Sequence, residues 1–293
     1  MTAKGLAQNL RLTFHFLLVT FYFLSGCAWF QPAPEMSLKQ ATIEHLVALL
    51  KERDAAVRTV KGLFRAQVSG PGLLLSQRLE GAMYYRRPHA LRVQGFSPIG
   101  GPLFDLRLDD DRYRLRLPAS GKVYEGQVEQ LSATVPIGKP LELSRLALSG
   151  AIGTEPVADG APVELVDDED RYRLDVHEAG LNGAAGPVVR RIWFERTNLF
   201  VVQEERLGPD GTVRASATFE DFRPLPSAAG DGNGTGSVSD NGAENGSRAG
   251  VMKPFKATTK DGRGRGSLTL SFHELVPNPT LTPEELSQAG ILP

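Results

Sequence analysis

Cysteine is nearly missing from this sequence: there is one, Cys27, in 293 residues. An internal disulfide is therefore impossible, and the paired-cysteine spacing of zinc and redox centres has no counterpart. An excess of either charge is missing too, with 33 Lys and Arg against 34 Asp and Glu, so the chain lacks the basic balance of a nucleic-acid-binding protein. It has no HExxH pair, no GxSxG elbow, no P-loop and no GxGxxG after a strand pattern. His45, His89, His177 and His273 are scattered, and the acidic runs at 109–111 and 167–170 lack EF-hand spacing and read as turns. These gaps point away from an enzyme and give no reason to expect a cofactor or a metal.

What is present begins with the first thirty residues. Residues 1–11 carry Lys4 and Arg11 with no acid, residues 12–24 (LTFHFLLVTFYFL) are almost wholly apolar, and small residues follow. This is the pattern of a secretory signal. The tetrad Leu24-Ser25-Gly26-Cys27 resembles a bacterial lipobox. That resemblance implies that residues 1–26 are removed as a signal peptide and that Cys27 carries a diacylglyceryl thioether and an N-acyl chain. Each buried methylene adds about 0.8 kcal/mol to membrane binding, so two or three chains would hold the protein at a bilayer. Ala28 rather than Asp follows the cysteine, which looks like the outer-membrane address, with the body facing the periplasm. The alternative is an uncleaved signal anchor running on through Trp29 and Phe30, close to the ~20 residues a span needs.

Residues 27–36 form a Pro-containing tether, and residues 37–293 form the folded domain. Ser37 reads as a helix N-cap, and Leu38, Ala41, Leu46, Leu49, Leu50 and Val57 recur at helical spacing, which predicts one long helix over 38–60. After Gly62 the period changes to two. Strands are expected at 64–68, 75–85, 90–96, 104–108, 113–117, 163–166, 172–176, 188–196, 199–207, 213–222, 255–259 and 266–275. Leu141, Leu143, Leu146, Ala147 and Leu148 predict a short lid helix, and residues 227–250, rich in Gly and Ser, read as a flexible insertion. Residues 51–122 are net basic and residues 123–293 net acidic. A basic half beside a lipid anchor suits anionic head groups or an acidic partner, and equally the solvated faces of strands.

A dozen one-sided strands with few helices must curl to bury their apolar face. The expected fold is α+β: an incomplete, open antiparallel β-barrel around one long N-terminal helix and a short lid helix. The inward positions Phe64, Val68, Leu79, Met83, Leu91, Val93, Leu106, Leu115, Trp193 and Phe219 would line an apolar cavity or fill an ordinary core.

The order of elements resembles the LolA/LolB-like fold of periplasmic lipoprotein carriers and the outer-membrane lipoprotein receptor. The segment Gly95-Phe96-Ser97-Pro98-Ile99-Gly100-Gly101-Pro102-Leu103-Phe104 looks like the receptor's protruding loop, and residues 192–195, 203–205, 210–211, 219–222 and 276–278 look like its closing strands. The resemblance implies a membrane-contact loop carried by Ile99 and Leu103, acyl chains of lipoproteins or lipids as ligands, and a periplasmic carrier protein as a partner of a monomer. Three features depart from the pattern: the extra length, the 227–250 insertion and the stretch 150–190. A structural envelope lipoprotein that binds another protein is the alternative.

Overall fold

The computed structural model describes residues 37–70, 76–131, 138–180, 184–225 and 251–286. The expected signal peptide, tether and flexible insertion, and Cys27 with them, lie outside the described residues. The unit that carries the sheet begins at Lys39.

Among the described residues thirteen strands follow one helix. Helix α1 spans Ile43–Ala55. The strands are β1 (Thr59–Ser69), β2 (Gln77–Arg86), β3 (Ala90–Phe96), β4 (Pro102–Asp109), β5 (Arg112–Leu117), β6 (Lys122–Gln127), β7 (Val163–Asp168), β8 (Arg171–Ala179), β9 (Ala185–Glu195), β10 (Val201–Leu207), β11 (Val213–Pro224), β12 (Met252–Asp261) and β13 (Ser267–Pro277). Helix α2 (Gly138–Ile152) interrupts them after β6, and one turn of helix, α3 (Pro283–Leu286), follows β13. All form a single sheet in the order β6-β5-β4-β3-β2-β1-β13-β12-β11-β10-β9-β8-β7. Every pairing is antiparallel, and β6 and β7 are free edges, so the barrel stays open.

Laid flat, thirteen strands at about 4.8 Å spacing would be about 60 Å wide, against a helix diameter of about 10–12 Å. Yet inward side chains from all thirteen strands belong to one apolar cluster, together with Leu46 and Leu50 of α1 and Leu146, Ala147 and Leu148 of α2. A sheet this wide meets a single core only by curling around it.

Glycine on the concave face lets it curl. Phe272, Phe64, Gly81, Gly95 and Phe104 stand side by side across β13, β1, β2, β3 and β4. The two central residues have no side chain, so the flanking rings fold over them. A Cβ on Gly81 would lie 2.3 Å from the Phe64 ring, and one on Gly95 2.3 Å from the Phe104 ring. Tyr113 covers Gly126 of β6 in the same way. Phe64 also meets Phe272 edge-on, with centroids 6.0 Å apart. Replacing Gly81 with valine is expected to displace the Phe64 ring and lower stability by about 1–3 kcal/mol. A urea midpoint unmoved by the change would contradict this packing.

The helix expected over 38–60 is shorter at both ends. Thr42 is the N-cap, its side-chain oxygen accepting from the His45 N–H at 3.3 Å, so Ser37 is not. At the other end the β-branched Val57, Thr59 and Val60 leave the helix, and the last two start β1. Asn278, beyond β13, holds this break: its Oδ1 accepts from the Arg58 N–H at 2.7 Å and its Nδ2 donates to the Ala56 carbonyl at 3.0 Å. The lid helix is longer than expected, and it lies across β11, β12, β13 and β1, near the middle of the sheet. Gly150 lets it approach: a Cβ there would sit 2.6 Å from the Phe219 ring and 3.0 Å from Pro254. Strand β6 was not anticipated; its inward positions are Tyr124 and Gly126, too weak an apolar signal for an alternation.

Candidate lipid-binding site

The concave face carries Phe64, Met83, Leu91, Val93, Leu106, Leu115 and Phe219, all buried, with Val68 and Leu79 half-buried against them. Among the described residues they belong, with the helices, to one packed apolar cluster. Trp193 does not join them. It is half-exposed between the buried Ile192 and Phe194, and alternation along β9 turns it to the convex face. A cavity of about 50 Å³ lies where α1, the end of α2 and strands β10–β12 converge. Pockets for drug-sized ligands start near 300 Å³, so an acyl chain enters this interior only if α2 moves away from the strands.

The concave face is not wholly apolar. Arg190 of β9 and Glu204 of β10 are both buried and joined at 2.9 Å. Arg206 approaches the same Glu204 oxygen at 2.9 Å and also holds Glu155 at 2.9 Å. Burial opposes ionisation of Glu155, but Arg206 outweighs it and holds the carboxyl below the ordinary range. The alternating charges of β10 gave no sequence signal as to which of them point inward. On the convex face Asp105 lies between Arg92 at 2.8 Å and Arg107 at 3.2 Å. Burial raises its pKa and the two guanidinium groups lower it, with a net depression. Arg92 also donates to the Glu284 and Glu285 carbonyls, which fastens α3 to this face.

The second candidate feature is a corner of the sheet. Between β3 and β4 the chain makes a turn held by its own bonds: the Ser97 N–H donates to the Gly101 carbonyl at 2.7 Å, the Gly100 N–H to the Ser97 carbonyl at 2.8 Å, and the Gly101 N–H to Ser97 Oγ at 3.0 Å. Gly100, at φ 94°, takes a conformation open to glycine. At the tip Ile99 is 96% exposed, so it is not tucked beneath the loop. Leu103 is exposed where β4 begins, and Val123 is exposed opposite Arg116 on the neighbouring strands, with Lys122 next to it. Val123 therefore stands beside basic groups.

Among the described residues no group of three or more His, Cys, Asp or Glu is placed to hold a metal ion, and no helix is long and apolar enough to cross a membrane.

No protein-family model matches the chain, and no curated protein matches it. Solved structures do. A LolA superfamily protein from Nitrosomonas europaea superposes with a TM-score of 0.51 at 10% identity, covering 85% of this chain and 99% of that one. A DUF1329 family protein from Desulfovibrio piger gives 0.56 at 10% identity over 85% and 99% of the two chains. A domain described as an outer membrane lipoprotein-sorting protein from Vibrio parahaemolyticus gives 0.50 at 10% identity over 82% and 95%. These superpositions show the fold of this protein, an open antiparallel sheet with a helix laid across its concave side, to be LolA/LolB-like.

Proposed function

We propose that this protein is a lipoprotein anchored through Cys27 to the periplasmic face of the outer membrane. It takes acyl chains of lipoproteins or lipids against its concave face and releases them into the bilayer at the Ile99 corner. The observation that carries this reading is the cover of the concave face: a single helix, α2, lies over the centre of a thirteen-stranded apolar surface. Exchanging α2 for a hydrocarbon chain is close to balanced. Baring Leu143, Leu146 and Leu148 costs about 1.5–3 kcal/mol each, and a twelve-carbon chain with about 0.8 kcal/mol per methylene returns a similar total. The superposed LolA superfamily protein and lipoprotein-sorting domain support the same reading by analogy of fold. The purified protein should bind a hydrophobic fluorescent probe that dodecanoic acid displaces saturably; a protein that never takes up the probe would defeat the proposal.

Release at the corner makes a separate prediction. An exposed isoleucine entering lipid contributes about 1.5–3 kcal/mol. Ile99→Asp should therefore weaken association of a Cys27→Ser chain with anionic vesicles at least about tenfold, read by vesicle flotation. Equal flotation of the two proteins would remove Ile99 from the membrane contact.

A second reading is favoured by the packed interior, whose cavity measures about 50 Å³. In it the protein is a structural envelope lipoprotein that binds another protein and needs no opening. A probe-silent protein crosslinked stoichiometrically to one fixed partner would support it, whereas transient lipoprotein adducts would support transfer.

A further inference from the structure

The cavity beside the end of α2 has an unusual electrostatic make-up. Its walls include Phe200, Phe219 and Phe222, and two cations, Arg53 from α1 and Lys253 from β12. Lys253 is only 4% exposed, and among the described residues no hydrogen bond or ion pair reaches its ammonium group. Asp54 acts on it through space, but that carboxylate is bound to Arg87, which also donates to the Asp54 carbonyl at 2.7 Å. Arg53 donates to the Leu199 carbonyl at 2.6 Å and lies 5.5 Å from the Phe200 ring centre, with no carboxylate paired to it. The backbone opposite is pared back as well: a Cβ on Gly153, at φ 137°, would lie 3.4 Å from Asp54 Oδ1, the oxygen that Arg87 does not bind, and 3.8 Å from Lys253 Nζ.

A buried ammonium group without a counter-ion costs several kcal/mol, and that cost is removed when an anion enters. The space of about 50 Å³ suits a carboxylate or phosphate, not a hydrocarbon chain. The adjoining Gly150 and Phe219 mark where α2 packs on β11, the seam that an acyl chain would enter. We propose that this cavity binds the anionic head group, carboxylate or phosphate monoester, of an amphiphile whose hydrocarbon tail lies beneath α2, with Lys253 and Arg53 as the head-group ligands. The tail's position rests on the acyl-binding reading above. The head-group site itself rests on the two unpaired cations.

Titration calorimetry on the full-length protein tests this with four ligands: dodecanoate, dodecyl phosphate, dodecanol and inorganic phosphate. At pH 7 the wild-type protein should bind at least one of the two anionic amphiphiles at least tenfold more tightly than dodecanol. Lys253→Met should shrink the gap between the anions and the alcohol at least threefold, Arg53 keeping the remainder, while moving alcohol binding by less than threefold. Tighter binding of the phosphate ester than of the fatty acid assigns the site to phospholipid-like head groups, and the reverse assigns it to fatty acids. Equal binding of acid and alcohol by the wild type, or a gap that is unchanged in Lys253→Met, overturns the head-group site alone. If none of the twelve-carbon ligands binds, acyl binding falls with it. If inorganic phosphate binds as tightly as dodecyl phosphate, the tail placement is wrong.

The wild type supplies a second measurement should Lys253→Met not fold. The groups facing Lys253 are Arg53 and Asp54 from α1, the latter held by Arg87, and across the strand pair Arg223 of β11, bound to Asp221. Arg53 keeps its charge throughout, so raising the pH from 7 to 9.5 discharges Lys253 and should shrink the gap between acid and alcohol about threefold or more. A gap that does not change with pH excludes Lys253 as a ligand.

Discussion

Replacing Glu204 with alanine is expected to lower the stability of the fold by about 3–5 kcal/mol, the usual cost of breaking a buried ion pair by removing one partner. Glu204 is 0% exposed, and two guanidinium groups depend on it, Arg190 and Arg206, each at 2.9 Å. Removing the carboxylate strands the buried charge of Arg190 on the concave face, where Ile192 and Phe194 surround it along β9. The network is already incomplete, because Arg190 Nη2 and Glu204 Oε2 have no hydrogen-bond partner. A partly satisfied polar network is a poor substitute for apolar packing. The double change Arg190→Met with Glu204→Leu should therefore recover most of the loss. Urea denaturation of the wild type and the two variants checks both statements. A single variant within about 1 kcal/mol of wild type would mean that Arg190 finds water or another partner.

Lys253→Met is expected to have the opposite sign and to stabilise the protein. Burial pushes the Lys253 pKa down to about 8 from 10.5, with Asp54 offsetting part of that and Arg53 adding to it. A base whose folded pKa lies below its unfolded one costs stability wherever both states are protonated, here below about pH 8. At 1.36 kcal/mol per unit the cost is about 3 kcal/mol. As pH rises from 8 towards 10.5 the folded state loses its proton first, so the wild type gains stability over that window. The methionine variant lacks both the cost and the rise. Thermal melts at pH 7 and pH 10 should show the variant well above wild type at the lower pH and the two close together at the higher. A wild-type protein as sensitive to pH as the variant would mean that the amine reaches solvent.

Much of this fold was legible because the strands are apolar on one face. Strand β3 runs over Ala90–Phe96 as the alternation predicts, and the acidic run after β4 turns at Asp110, at φ 52°. The Asp210-Gly211 hairpin turn also forms, with the Asp210 carboxylate accepting from the Thr212 N–H. Long-range contacts hid the rest. The end of α1 depends on Asn278, 222 residues beyond Ala56, which no local pattern can register. In Ile192-Trp193-Phe194 three apolar residues are consecutive, so period two gives no parity, and Trp193 was placed on the wrong face. The rings that fold over Gly81, Gly95 and Gly126 are an event of side-chain geometry that composition does not reveal.

For the candidate site, the exposed Ile99 agrees with what the resemblance implied, and the turn of Ser97 and Gly100 that presents it is local. Lys253 was not legible. It stands at the start of β12, ahead of the alternation that marks that strand, and its environment comes from α1, α2 and β11 together.

Methyl NMR offers the most direct check that the concave face receives acyl chains. Met83 is fully buried on that face and Met252 borders the cavity beside α2. With methionine methyls labelled, a fatty acid carrying a nitroxide on its chain should broaden both signals, and unlabelled dodecanoic acid should restore them in competition. If Met83 and Met252 stay sharp at saturating ligand, the chain never passes beneath α2 and the concave face is only a core.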